Sequence, residues 1–168
     1  MSEECRDLIE VAEGPTVCSP VETKTGHLPT AVQQEAAYGY KVRIDIPYEQ
    51  ALSAVKRSLS NQGLDTVIEL DIQDTLTKKL DLQFRPYTVL GVYDPNVLRR
   101  AIEIESDSGL LFPCNVVVYE ETGGTIIEAI DTIEHFAMSR RRELHDLARE
   151  IKIRLQNAID HVASGVTE

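Results

Sequence analysis

In the run Tyr38-Gly-Tyr-Lys-Val-Arg-Ile-Asp-Ile46, the residues Tyr40, Val42, Ile44 and Ile46 alternate with Lys41, Arg43 and Asp45. An apolar residue at every second position marks a strand with one face buried and the other wet. No other feature limits the fold as tightly. A sheet of such strands has one polar face and needs helices to cover the apolar one. Doubly wound parallel sheets are excluded, because their strands are covered on both sides and read as unbroken apolar runs.

The covering helices are legible. Leu144, Leu147, Ala148, Ile151, Leu155, Ala158, Ile159 and Val162 form one stripe at helical spacing, predicting a long helix from about Arg140 to Val162. Pro47 suits a helix start, Ala51, Leu52, Val55 and Leu59 share a face, and Gly63 is placed to end that helix. Asp94-Pro95 predicts another start, followed by Val97, Leu98, Ala101, Ile102 and Ile104. Ile72, Leu76 and Leu80 stand four apart after Asp71, a good N-cap, so a short helix is expected there. Strands are expected at Leu64–Leu70 and Tyr87–Tyr93, with a turn at Ser106–Gly109. Cys114–Tyr119 and Thr125–Ile130 flank Gly123-Gly124 as a hairpin. The expected fold is α+β, with helices packed on one face of a mostly antiparallel sheet, as a single domain over 38–168.

Residues 1–37 carry seven acidic and two basic side chains, with Pro15, Pro20 and Pro29 among them. So little apolar material does not offset chain entropy, so a disordered acidic tail is expected.

The whole chain of 168 residues has 28 acidic and 17 basic side chains, a formal charge of −11. A general nucleic-acid binder needs a surplus of Lys and Arg facing phosphate, and membrane docking needs a polybasic cluster. Neither nucleic acid nor membrane is therefore expected as a partner. Arg140, Arg141 and Arg142 read as a solvated helix start. Cys5, Cys18 and Cys114 are odd in number and two lie in the tail, which argues against a disulfide framework and for a reducing cytoplasm. No apolar leader follows Met1. His27, His135, His145 and His161 show no zinc spacing, and phosphate-loop, dinucleotide and Gly-x-Ser-x-Gly motifs are missing. No metal or cofactor is expected.

Three places can carry chemistry. Cys114 follows Pro113 at a strand start, where a thiolate next to a base such as His135 would be a nucleophile; as one of a row with Val116 and Val118 it reads instead as core. Arg85, next to Tyr87, can grip a carboxylate or phosphate with its forked guanidinium. Asp131 ends a strand, as a helix cap or a general base.

Asp71-Ile-Gln-Asp-Thr-Leu-Thr-Lys-Lys-Leu80, Phe84-Arg-Pro-Tyr-Thr-Val-Leu-Gly-Val-Tyr-Asp-Pro95 and Leu111-Phe-Pro-Cys-Asn-Val-Val-Val-Tyr-Glu120 together resemble an uncharacterised family, domain of unknown function 302. The resemblance runs well from about Tyr40 to Ile133 and loosely through the last helix. Where the family often has Asp-Pro, this chain has Asp131-Thr132. The resemblance implies a two-layer sandwich like that of TATA-binding proteins, subunits in pairs, and a shared design that includes Cys114, Asn115, Arg85 and Tyr87. It implies no activity.

Two functions follow as expectations. The first is a non-catalytic dimeric module binding a small ligand or a protein partner through Cys114, Asn115, Arg85, Tyr87 and Asp131. The alternative is a thiol-dependent enzyme using Cys114. A homodimer is expected, because Ile153 points away from the last helix's stripe and a short open sheet leaves sticky edges.

Overall fold

The computed structural model describes residues 31–34 and 36–165. Six strands form one sheet: β1 (Val32–Gln34), β2 (Gly39–Ile44), β3 (Asp65–Asp71), β4 (Tyr87–Tyr93), β5 (Cys114–Glu121) and β6 (Gly124–Ile130). Their spatial order is β1-β2-β6-β5-β4-β3, and every neighbouring pair is antiparallel. Five helices accompany them: α1 (Tyr48–Asn61), α2 (Ile72–Leu80), α3 (Pro95–Ile104), α4 (Thr132–Phe136) and α5 (Arg142–Ala163). The fold is the expected α+β arrangement of helices on an antiparallel sheet.

Local chemistry sets the boundaries. The Asp94 carboxylate accepts from the amides of Asn96 and Val97 and starts α3 with Pro95 in its first turn. Asp71 caps α2 through the Asp74 amide. Gly63 follows α1 at φ +69°, in the left-handed region where a side chain is strained. The hairpin between β5 and β6 turns on Thr122 and Gly123, the latter at φ +81°.

One side of the sheet faces the helices. Val42 and Ile44 of β2, Leu90 and Val92 of β4, Cys114, Val116 and Val118 of β5, and Ile127 and Ala129 of β6 are buried there with the inner faces of α1 and α5. All eight residues of the α5 stripe are buried, each large one contributing about 1.5–3 kcal/mol on leaving water. Two buried hydroxyls reach across the layers: Ser58 donates to the Ala158 carbonyl at 2.9 Å and Thr132 to the Ala148 carbonyl at 2.6 Å.

Four features differ from the sequence reading. First, β1 falls inside the stretch read as a tail. It pairs Val32 with Arg43 and Gln34 with Lys41 at the open edge of β2. Three polar-rich residues carry no readable period, and backbone pairing alone recruits them. The rest of that stretch, 1–30 and Glu35, lies outside the described residues. Second, the helix at Ile72–Leu80 forms but buries none of its residues. Third, Ser106–Leu111 is a 3-10 helix rather than a simple turn, and a short α4 separates β6 from α5. Fourth, the polar outer face holds only for β2. Farther across, that face carries Ile126, Tyr119, Val117, Tyr87, Val89, Leu70 and Ile68.

Candidate functional site

The outer face of the sheet holds one cluster built by cross-strand register. Val32 of β1, Arg43 of β2, Ile126 of β6, Tyr119 of β5 and Tyr87 of β4 stand directly opposite one another in a single row. Such opposed residues share a face at close approach. Tyr87 and Tyr119 stack with ring centroids 5.1 Å apart and planes within 6°. Burial, then the neighbouring Tyr119 and Glu128, push the Tyr87 phenol up. Phe84 tilts toward Tyr87 at 6.4 Å.

Two cations rest on this aromatic pair. The Arg85 guanidinium lies 4.6 Å from the Tyr119 ring centroid and the Lys41 ammonium 5.8 Å from it. Each contact is favourable by about 0.5–1 kcal/mol at an exposed site. Hydrogen bonding to Tyr119, with the fields of Tyr119, Glu128 and Glu121 behind it, raises the Lys41 ammonium pKa against a desolvation cost. Neither Arg85 nor Lys41 forms an ion pair among the described residues, whereas Arg43 is held by Asp45 at 3.4 Å and by the Thr122 carbonyl at 3.0 Å. Tyr119 and Ile126 are buried, Val117, Val89, Tyr87 and Lys41 are half-buried, and Arg85 is exposed. The chemistry available is therefore a forked donor and an ammonium beside half-covered apolar surface.

The sequence candidates divide between the two sides of the sheet. Arg85 and Tyr87 lie together, joined by Tyr119 and Lys41, which the sequence reading missed. Tyr119 is out of phase with Cys114 in β5, and that alternation was the available signal; which strands stand beside β5 is not written in local sequence. Asn115 is exposed on the same outer face, opposite Gly91, but about 13 Å along the strand from Tyr119.

Cys114 is on the helix side, 1% exposed, at the start of β5, an interior strand. Burial alone pushes its thiol up to about 12, so it is protonated at neutral pH. His135 does not approach it: its Nε2 meets the Leu111 carbonyl at 3.1 Å and its ring meets Phe136 edge-on. His135 therefore supplies no base to Cys114 in this fold.

Asp131 also lies away from the cluster. Its carboxylate accepts from the amides of Ile133 and Glu134 as the α4 cap and from Lys152 Nζ at 2.6 Å. Desolvation pushes its pKa up, but Lys152 and the two amides outweigh that and hold the carboxyl below its ordinary range. Such a group is a structural cap, not a base.

A hollow of about 420 Å³ lies beside the β5–β6 hairpin, where Asp45, Glu120 and Glu121 make it acidic. No group of three or more potential metal ligands occurs among the described residues. No helix among them is long and apolar enough to cross a membrane.

The three recurring segments now sit on β3–α2, β4 and β5, and residues 40–162 match the family model described as domain of unknown function DUF302. The chain belongs to this family. A crystal structure of an uncharacterized conserved DUF302 protein from Bacillus stearothermophilus is similar, with 25% identity and a TM-score of 0.69. The similarity covers 74% of this chain and 98% of that one. No curated protein matches. The matched DUF302 region begins at Tyr40, so β1 precedes it, while Lys41, Arg85, Tyr87 and Tyr119 all lie within it.

Proposed function

We propose that this DUF302 chain is a non-catalytic binding module of the cytoplasm. Its outer sheet face takes an organic anion: a carboxylate or phosphate ester attached to an apolar body. The observation that supports this is Arg85 lying on Tyr119 with no ion pair among the described residues, and Lys41 beside it, opposite Glu128 of β6. In a chain of net charge −11, a guanidinium held only by an aromatic ring over a half-buried apolar floor favours an anionic guest. Arg85 would fork onto the anion, Lys41 would neutralise it, and Val117, Val89 and Tyr87 would meet the apolar part. Cys114 and Asp131 have no place in this site. Asn115 would reach only a long ligand.

The module acts as a homodimer in this reading. Val67, Ile68, Leu70, Leu80, Leu82 and Phe84 are all exposed and gathered at β3, α2 and the segment after it. β3 is an edge strand of the sheet, and a second copy related by a two-fold axis can pair with it antiparallel. Ile153 is exposed on α5, apart from that edge by element. Leu82→Asp should dissociate the dimer in analytical ultracentrifugation and Ile153→Asp should not. A wild-type chain that sediments as a monomer at high concentration ends the dimer proposal.

The binding test is mass spectrometry of the natively purified protein for a retained ligand, with calorimetric titration of octanoate and of inorganic phosphate. Arg85→Gln should weaken anion binding about tenfold or more, since a charge-assisted forked contact is worth about 1.5–3 kcal/mol. Binding that ignores Arg85→Gln and Lys41→Gln would place the ligand elsewhere.

A further inference from the structure

Next to the row that holds Tyr119, the same outer face carries a second row: Val89 of β4, Val117 of β5, Glu128 of β6 and Lys41 of β2. Glu128 is thus the diagonal neighbour of Tyr119, about 7–8 Å away between backbones. It is half-buried and forms no ion pair among the described residues. Its field reaches both the Tyr87 phenol and the Lys41 ammonium. A second carboxylate, Glu121, lies on the opposite side of Tyr119, two residues farther along β5 and facing Gly124 at the hairpin.

The charges around the aromatic pair therefore balance. Lys41, Arg43 and Arg85 are set against Asp45, Glu121 and Glu128, with Arg43 and Asp45 already in contact at 3.4 Å. A doubly charged guest such as a phosphate monoester gains at Arg85 but is repelled by Glu121 and Glu128. A guest with one charge of each sign gains at both ends.

The two carboxylates differ in what lies beside them. Glu128 stands opposite Val117, and Val89 follows on the next strand, so the apolar floor begins at its side. Glu121 has Gly124 opposite and lines the acidic hollow at the hairpin, away from that floor. An apolar chain lying over Val117 and Val89 brings its charged head to Arg85 and Glu128. Lys41 flanks Glu128 from the β2 side, so a positive group reaches Glu128 from the β5 side, over Val117 and next to the Tyr119 ring.

We propose that Glu128 sets the ligand class of this face: a zwitterion of the α-amino acid type, with its carboxylate on Arg85, its ammonium on Glu128 and its apolar chain on Val117 and Val89. The proposal rests on the anion-binding reading and narrows it, taking carboxylates that carry a neighbouring ammonium and refusing dianions.

The test is calorimetric titration of the full chain at pH 7 with octanoate, 2-aminooctanoate and octyl phosphate. In wild type, 2-aminooctanoate should bind about tenfold more tightly than octanoate, the worth of one charge-assisted contact, and more tightly than octyl phosphate. Glu128→Gln should weaken 2-aminooctanoate about tenfold and reverse the order of the first two ligands, because the ammonium then loses its water without gaining a partner. Its octanoate binding should be kept or tightened, which also shows that the variant is folded. Glu128→Asp should keep the sign of the preference, and Glu121→Gln should leave it unchanged.

An affinity for 2-aminooctanoate that ignores Glu128→Gln would mean that Glu128 acts only through its long-range field, and overturns the proposal. Octyl phosphate as the tightest of the three ligands overturns it as well. Octanoate equal to or tighter than 2-aminooctanoate in wild type, with both lost in Arg85→Gln, leaves the anion site standing and rejects the zwitterion. Binding of 2-aminooctanoate that ignores Arg85→Gln, or no binding of any of the three ligands, rejects the anion site and the zwitterion together.

Discussion

Thiol reactivity at Cys114 separates a core residue from a nucleophile. The perturbation is a chain with Cys5→Ser and Cys18→Ser, leaving Cys114 as the only thiol. Burial raises its pKa from an ordinary 9.0 to about 12. At pH 7 an ordinary thiol of that kind is about one part in a hundred thiolate, and a thiol at 12 is about one part in 100,000, so ionisation alone slows reaction about a thousandfold. Access adds a second factor, because a side chain only 1% exposed reacts through opening of the β4–β5–β6 core. With native stabilities of about 5–15 kcal/mol, opening to the unfolded state costs at least three further orders of magnitude. The assay is stopped-flow reaction with a chromogenic disulfide reagent at pH 7, with and without denaturant. The expected trace is flat over minutes in buffer and rapid in 6 M guanidinium. Modification of the folded chain within seconds, at the rate of a free thiol, would refute the burial argument and restore the thiol enzyme.

Asp94 caps α3 and also receives Arg154 Nη1 at 2.7 Å, while Arg154 donates to the carbonyls of Gln62 and Gly63. Asp94→Ala should cost about 2–3 kcal/mol, and Asp94→Asn, which keeps the cap, about half of that, read as the shift in urea midpoint at constant slope. Desolvation raises the Asp94 pKa, but Arg154 and the two cap amides outweigh it and hold it below 3.8. Asp131 is lowered in the same way by Lys152 and its cap amides. Two depressed carboxyls add stability that is complete above about pH 5 and is lost as pH falls through their folded values, because the unfolded chain then binds more protons. Urea midpoints from pH 6 down to pH 3 should fall less steeply for Asp94→Asn with Asp131→Asn than for wild type; parallel curves would contradict the assignment. The Ser108 hydroxyl is buried without a hydrogen-bond partner among the described residues. Ser108→Ala should therefore be neutral or stabilising by up to about 1 kcal/mol in thermal unfolding, and a loss above 1 kcal/mol would show a partner for it.

Much of the fold is local and was legible as such. The alternation Tyr40–Ile46 foretold a strand with one buried face, and the α5 stripe foretold which eight residues would be covered, because side-chain periodicity reports burial directly. Asp71, Asp94 and Asp131 were legible as caps for the same reason: a carboxylate and the amides it accepts from lie within three residues. Strand order and register lay outside local sequence, since both arise from contacts between segments far apart in the chain. Those contacts put Cys114 in the interior of the sheet, recruited Val32–Gln34 to an open edge, and set Tyr119 between Tyr87 and Ile126. The candidate site depends on that last pairing. Arg85 alone reads as a loop cation, and it gains an aromatic seat and a neighbouring Lys41 only when β2, β6, β5 and β4 lie side by side.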